Sequence, residues 1–108
     1  MSTLAALAIA VSVTAYVPAN DVGAMMLPVL PGLTCAVSRD LSHLKGKWIH
    51  VKGHGVRFVN DTTHQRFKHR VDLCVADMAA AQEIALGKSE IKLHTNDQYL
   101  KKVPVRMK

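Results

Sequence analysis

The chain has 108 residues, of which 49% are hydrophobic and 20% charged, so it fits one globular domain with a single core and excludes wholesale disorder. Its net charge of +6 favours a polyanionic partner, which could be nucleic acid, an anionic cell wall or an acidic membrane surface. Only 5% of the residues are aromatic, so the base-stacking side chains typical of nucleic-acid binders are scarce and nucleic acid is not favoured.

The N-terminus is apolar, and Ala8-Ile9-Ala10 has the small-x-small form of a signal-peptidase site. No Lys or Arg precedes the apolar run, and the run is far too short to span a bilayer. We interpret residues 1–10 as a retained N-terminal arm, with a signal segment as the alternative, and we expect no membrane span.

β-Branched residues in Ala10 to Tyr16 predict a first strand, which Pro18 ends. Residues 17–33 contain three prolines and two glycines, which indicates an irregular excursion. Thr34 to Ser38 is typical of a short buried strand, and Arg39 to Gly46 of a polar turn.

Two strands, Trp48 to Val51 and Val56 to Val59, are separated by Gly53-His54-Gly55, which predicts a hairpin with a glycine-permitted turn. A polar, basic loop is then expected to begin with Asn60 to Thr63. Trp48 is interpreted as a core or groove-wall residue, because large aromatic side chains are mostly buried.

Residues 70–75 predict another strand. Alternation puts Val71, Leu73 and Val75 on one face and Asp72 and Cys74 on the other.

The last elements are a helix and a strand. Asp77 is a plausible N-cap for a helix from Met78 to Leu86 that Gly87 ends. A strand from Glu90 to His94 follows, and residues 95–108 form a basic tail. Several short strands with one late helix predict a mainly β fold, a small barrel with a helical crossover.

The cysteines and histidines show no metal-site pattern. Cys35 and Cys74 form no CxxC, and a disulfide and two buried thiols both stay open. The histidines within residues 50–54 and 64–69 match no common zinc spacing, so no metal or other cofactor is predicted.

The order of these elements resembles a known family. The matching blocks are Val13 to Tyr16, Cys35 to Ser38, Val51 to Gly55, Asn60 to Thr62, Arg70 to Leu73 and Ala81 to Leu93. Together they resemble the 3D domain, named for three aspartates and similar to the C-terminal module of the MltA lytic transglycosylases and related muralytic proteins. The resemblance covers residues 11–94, which we take as the domain.

The resemblance implies a six-stranded double-psi β-barrel that binds peptidoglycan in a groove and cleaves between N-acetylmuramic acid and N-acetylglucosamine without a metal. It places the family's second and third aspartates on Asp61 and Asp72 with their spacing preserved, and gives Asp72 the acid/base role. Ser38 stands where the first aspartate is expected, and Asp40 lies two residues further on. The predicted substrate-binding residues are Ser38, Asp40, Thr62 and Arg70.

Lytic transglycosylation can proceed with one carboxyl group that protonates the leaving oxygen and then accepts a proton from the sugar's own hydroxyl. Burial or a nearby negative charge must raise the pKa of that carboxyl. We expect Asp61 to act as the electrostatic partner of Asp72, whereas Arg66, Lys68 and Arg70 favour the ionised form. The loop between the two aspartates is glycine-rich in the family and basic in this chain.

The sequence therefore predicts a muralytic domain acting on peptidoglycan glycan strands, in the cell envelope or periplasm or associated with a phage virion. The alternative is a catalytically inactive barrel that serves as a structural or binding module of a larger assembly. In that case the N-terminal arm and the C-terminal tail would contact the assembly partners.

Overall fold

Within the part of the chain that the structure describes, six β-strands close into a barrel, accompanied by one short α-helix and one 3₁₀ helix. The computed structural model describes residues 8–18, 30–63, 66–84 and 87–94. The elements are β1 Ile9–Tyr16, β2 Thr34–Val37, the 3₁₀ helix Arg39–Leu44, β3 Trp48–Val51, β4 Gly55–Thr62, β5 Arg70–Cys74, α1 Met78–Ile84 and β6 Gly87–Leu93. The prediction of a mainly β barrel with one short helix is confirmed.

The strand order around the barrel is β1-β5-β2-β4-β3-β6, and β6 returns to β1 to close it. β1 pairs with β5, and β2 with β4, in parallel. The remaining pairings are antiparallel. Each parallel pair joins strands far apart in the sequence, so the longer connections must cross the barrel ends.

The inward-facing side chains of the strands fill the barrel. Val71 and Leu73 are fully buried, which confirms that Asp72 lies on the outer face of β5. The cluster that they join contains aliphatic side chains from all six strands and from the 3₁₀ helix: Val11, Val13, Val37, Leu41, Leu44, Ile49, Val51, Val59 and Ile91.

Trp48 and Phe58 form a second buried cluster. Their ring centroids are 5.1 Å apart in an edge-to-face arrangement, and Leu33 and Val56 pack against them. Trp48 is 4% exposed, so its interpretation as a buried residue is confirmed.

Two turns differ in how well the sequence predicted them. The β3–β4 hairpin is confirmed, and Gly53 and Gly55 have φ of 85° and 90°, values that L-residues rarely adopt. The predicted polar turn Arg39 to Gly46 is instead mostly a 3₁₀ helix, because Leu41 and Leu44, one turn apart, both reach the core.

The largest correction concerns Asn60 to Thr63, predicted to begin a loop. β4 continues through Thr62, since Asp61 and Thr62 pair with Ala36 and Val37 of β2. Asn and Asp are uncommon in strands, but pairing with a central neighbour outweighs that preference. Asp61 is therefore a strand residue.

The bounds of α1 and β6 also differ from those that the sequence predicts. Asp77 accepts a hydrogen bond from the Ala80 amide at 2.9 Å, which confirms it as the N-cap of α1. Gly87, the predicted end of the helix, is the first residue of β6 because it pairs with Val13 of β1. β6 thus begins before Glu90.

Both ends of the chain extend beyond the described residues. β1 begins at Ile9, so the last two residues of the predicted arm 1–10 belong to the barrel. Residues 1–7, most of the excursion 17–33 and the tail 95–108 lie outside the described residues. No helix that the structure describes is both long and apolar enough to cross a membrane.

Candidate active site

Asp61 and Asp72 flank the same residue of the central strand β2. Ala36 pairs with Asp72 of β5 on one side and with Asp61 of β4 on the other. Side chains directly paired across neighbouring strands point to the same face of the sheet. Both carboxylates therefore lie on one outer face, with their Cα atoms two strand spacings, or about 10 Å, apart.

A β-bulge in β4 gives Asp61 this orientation. Cys35 pairs with Val59, but the next residue of β2, Ala36, pairs with Asp61, so Asn60 is the extra residue. Without the bulge Asn60 would oppose Ala36, and Asp61 would face the other way. Asn60 is fully buried.

The Asp72 carboxyl is half-buried and held from β1. The Thr14 hydroxyl donates a hydrogen bond to Asp72 Oδ1 at 2.8 Å, across the parallel pairing of Thr14 with Asp72. Burial raises the pKa of Asp72 above its ordinary value, although the Thr14 hydrogen bond and the Arg70 charge act to lower it. Of the basic residues expected to depress this pKa, Arg70 does so, but burial outweighs it, and the carboxyl holds its proton more readily than an exposed one.

Tyr16 lies on the same face of β1 as Thr14 and pairs with Cys74. Its hydroxyl oxygen is buried. Burial raises the pKa of Tyr16, and the charges of Cys74, Asp61 and Asp72 raise it further. Tyr16 is thus close enough to both carboxylates to feel their charge, and its hydroxyl is a neutral donor at neutral pH.

Thr14 and Tyr16 were not predicted as site residues. Strand alternation places them on one face of β1, which is a signal the sequence does carry. The parallel pairing with β5 is what makes that face important, and nothing in the local sequence indicates it.

Ser38 holds the start of β5. It is fully buried, its hydroxyl oxygen accepts a hydrogen bond from the Arg70 amide at 2.9 Å, and its own amide donates to the Arg70 carbonyl at 2.9 Å. Ser38 was predicted to bind substrate at the position of the first aspartate. It hydrogen-bonds the backbone of Arg70 and also the side chain of Asp40, so it fixes the start of the strand that carries Asp72.

Asp40 holds the backbone of His69, the residue before Arg70, in a similar way. Its carboxylate accepts the His69 amide hydrogen bond at 3.0 and 3.2 Å and lies 3.2 Å from His69 Nδ1. Burial acts to raise the pKa of Asp40, but hydrogen bonds from Ser38 and the His69 amide outweigh it and lower the pKa. His69 has φ of 47°, so Asp40 stabilises a strained backbone.

Arg70 and Thr62, the other two predicted binding residues, border the carboxylates. The Arg70 guanidinium lies 3.8 Å from the centre of the Phe67 ring, and that of Arg66 lies 4.8 Å from it. The Thr62 amide donates to Asp61 Oδ1 at 2.8 Å. Arg70 is half-buried and follows the basic loop directly, so it brings positive charge next to Asp72.

Cys35 and Cys74 are both buried free thiols, which decides between the two alternatives that the sequence left open. Burial raises the pKa of Cys35 to about 12, although the Arg57 charge acts to lower it. Neither thiol is poised as a nucleophile, since a reactive cysteine needs a lowered pKa.

The described residues contain no group of three or more His, Cys, Asp or Glu side chains that could hold a metal ion. The arrangement instead offers one carboxyl with a raised pKa, a second carboxyl on the same face, and hydroxyl groups from β1 beside them. Such a set can donate and accept a proton at one atom. Comparison with known proteins finds no family model, no curated protein and no solved structure that matches this chain.

Proposed function

We propose that this chain is a 3D-domain-like muralytic protein that cleaves peptidoglycan glycan strands by lytic transglycosylation, with Asp72 as the acid/base. The observation that carries the proposal is the half-buried Asp72 carboxyl, whose pKa is raised by burial and which shares one outer face with Asp61. An exposed carboxylate would be ionised at neutral pH and could not protonate a leaving group.

The proton balance requires only Asp72. Its carboxyl gives a proton to the oxygen between N-acetylmuramic acid and N-acetylglucosamine as the C1–O bond breaks. The resulting carboxylate then takes the proton of the muramic acid 6-hydroxyl as O6 bonds to C1, which forms the 1,6-anhydro ring. The carboxyl ends protonated, and no water is consumed.

The groups near Asp72 suit the charges that develop during the two proton transfers. Asp61 carries negative charge on the face where the sugar's positive charge develops. The Thr14 hydroxyl, 2.8 Å from Asp72 Oδ1, stabilises the carboxylate that exists between the two proton transfers. Tyr16 supplies a neutral hydroxyl on the same face.

The finer topology belongs to the same proposal. In a double-psi barrel, strands that are not consecutive in the chain form parallel pairs. The pairings of β1 with β5 and of β2 with β4, within a closed six-stranded barrel, support that arrangement. A muralytic role would place the protein in the cell envelope or on a phage virion, where it meets the wall.

The test is incubation of the full chain with purified sacculi, followed by mass analysis of the soluble products. The chain should release 1,6-anhydromuropeptides, and Asp72→Asn should lower the rate at least about a hundredfold, since an acid/base group contributes that much. Asp77→Asn is the matched control, because Asp77 caps α1 and asparagine can cap it as well. Equal rates for Asp72→Asn and the control would refute the assignment of Asp72. Products with reducing ends in place of 1,6-anhydro ends would show that the chain hydrolyses the glycan and does not carry out transglycosylation.

A second candidate is an inactive barrel that serves as a structural or binding module. It is favoured by the contacts of Ser38 and Asp40, which hold the backbone of Arg70 and His69 where the family's first aspartate would be expected. In that case Asp72→Asn would be silent, and deletion of residues 95–108 would disrupt assembly with partner proteins.

A further inference from the structure

A groove of about 240 Å³ lies beside the loop that precedes β5 and runs along β1 and β6. Its walls include Ser12 of β1, Lys68 and His69 of the loop, and Lys88 and Ser89 of β6. None of the predicted site residues lines it. It is therefore a separate feature of the surface that the proposed chemistry does not use.

The groove lies close to the carboxylate face along β1. Ser12 pairs with Arg70, and Thr14 pairs with Asp72, in the same parallel register of β1 and β5. Ser12 and Thr14 are two residues apart on one face of β1, a separation of about 7 Å. A polymer that passes Asp72 along β1 would reach the groove with the same or the adjoining sugar.

The groove is cationic. Lys68 and Lys88 come from different segments and line it together, and its described walls contain no carboxylate. Asp40, which contacts the groove residue His69, is occupied by the His69 amide and imidazole, and Glu90, which follows Ser89, forms an ion pair with Lys52 at 3.4 Å. Two ammonium groups facing one groove repel each other until an anion lies between them.

The hydroxyl groups add to this character unequally. Ser89 donates its proton to the Lys52 carbonyl at 2.7 Å, so it cannot also donate to a ligand. The groups left for a ligand are the two ammonium groups, the Ser12 hydroxyl and the His69 imidazole nitrogen that does not face Asp40. Arg70, stacked on Phe67, adds positive charge near Asp72. A groove whose charged groups are both cationic suits an anionic group, and a carboxylate is the anion that peptidoglycan carries.

We propose that this groove, which we call the Lys68/Lys88 subsite, binds a carboxylate substituent of the glycan strand and so selects for charged muramoyl residues. The inference rests on the proposed function, because it assumes that a glycan strand passes Asp72. The carboxylate can come from the peptide stem, or from the lactyl group of a muramic acid that carries no stem, since a stem converts the lactyl carboxyl to an amide.

The test measures co-sedimentation with sacculi in an Asp72→Asn background, so that binding is read without cleavage. The groove variant is Lys68→Gln combined with Lys88→Gln. Its matched control is Lys45→Gln combined with Lys47→Gln, which removes the same charge from an exposed turn outside the groove. We expect the groove variant to bind about tenfold more weakly or worse, since two charge-assisted hydrogen bonds are lost, and the control to bind nearly as the parent does.

Three forms of sacculi from a Gram-negative source, which carries no teichoic acid, define the ligand. The Asp72→Asn protein should bind intact sacculi most tightly. After the carboxylates are converted to methylamides, its binding should fall to the level of the groove variant on intact sacculi. An amidase hydrolyses the amide between the lactyl group and the stem, so it removes the stem carboxylates and frees one lactyl carboxylate on each muramic acid. Lost binding to this glycan assigns the site to the stem, and retained binding shows that a free lactyl carboxylate is a sufficient ligand.

Conversion of the carboxylates to methylamides should not change the binding of the groove variant, whereas it should weaken the binding of the control variant. Equal binding by the groove and control variants, or tight binding to neutralised sacculi, overturns the subsite. If the unmutated chain still releases anhydromuropeptides in that case, the proposed function stands without it. If the unmutated chain neither binds nor cleaves any sacculi, both the subsite and the proposed function are refuted.

Discussion

The Thr14 hydroxyl and the Asp72 carboxyl meet at 2.8 Å across the parallel pairing of β1 and β5, although 58 positions separate them in the chain. Because the hydroxyl donates to the carboxylate, it stabilises the ionised form and works against burial, which favours the protonated form. The pKa of Asp72 is therefore a balance between burial, which raises it, and the Thr14 hydrogen bond and the Arg70 charge, which lower it.

Thr14→Val removes the donor and keeps the β-branched shape. We expect the pKa of Asp72 to rise further, as followed by the pH titration of its carboxyl carbon in NMR spectra. In an active enzyme that must begin protonated, the falling limb of the pH–rate profile should move to higher pH. Thr14→Ser keeps the hydroxyl and should restore the parent value. An unchanged titration in Thr14→Val would mean that the hydrogen bond does not form in solution.

Asp72 should also affect stability with a defined sign. Its folded-state pKa lies above the ordinary value of 3.8, so the folded state binds more protons than the unfolded state between those two values. The free energy of unfolding of the parent should then fall, relative to Asp72→Asn, as pH rises from below 3.8 through the raised pKa. Urea denaturation of both proteins across this range measures the difference, and a parent that gains stability over the variant on that rise would contradict the burial argument.

His69 provides a test of the loop backbone. With φ of 47°, it occupies the left-handed region, which glycine adopts freely and alanine does not. His69→Gly should be more stable than His69→Ala by about 1 kcal/mol in urea denaturation. Both variants lose the imidazole near Asp40 and keep the amide hydrogen bond, so their difference reports the backbone alone. Equal stability would show that the loop relaxes when the side chain is removed.

The alternating residues of β5 are a part of the fold that the sequence predicts well. Val71 and Leu73 flank Asp72, so local alternation alone puts Asp72 outside and its neighbours in the core. The hairpin between β3 and β4 is equally local, because glycine is needed where φ is positive.

The site itself depends on contacts that alternation does not reveal. Asn60 and Asp61 have the composition of a turn, and only pairing with β2 extends β4 through them. The bulge that turns Asp61 toward the face of Asp72 is a property of two strands together. The role of Thr14 likewise depends on a partner strand remote in sequence.

The two thiols should be unreactive in the folded protein. Burial raises the pKa of Cys35 to about 12 and also raises that of Cys74, so almost no thiolate exists at pH 8. Iodoacetamide should modify neither cysteine under native conditions and both after unfolding in urea, as counted by intact mass. Failure to modify both in urea without reductant would indicate a disulfide.

The Trp48–Phe58 pair allows a test of the second cluster by fluorescence. Phe58 is 1% exposed and its ring lies 5.1 Å from that of Trp48, so Phe58→Ala leaves a cavity against the indole. We expect a loss of about 3–5 kcal/mol in the free energy of unfolding and a red shift of the tryptophan emission as water approaches. Phe58→Leu fills most of the space and should cost clearly less, with little red shift. Equal emission spectra for the parent and both variants would mean that the ring of Phe58 does not shield Trp48, and the pairing of β3 with β4 at this position would then need revision.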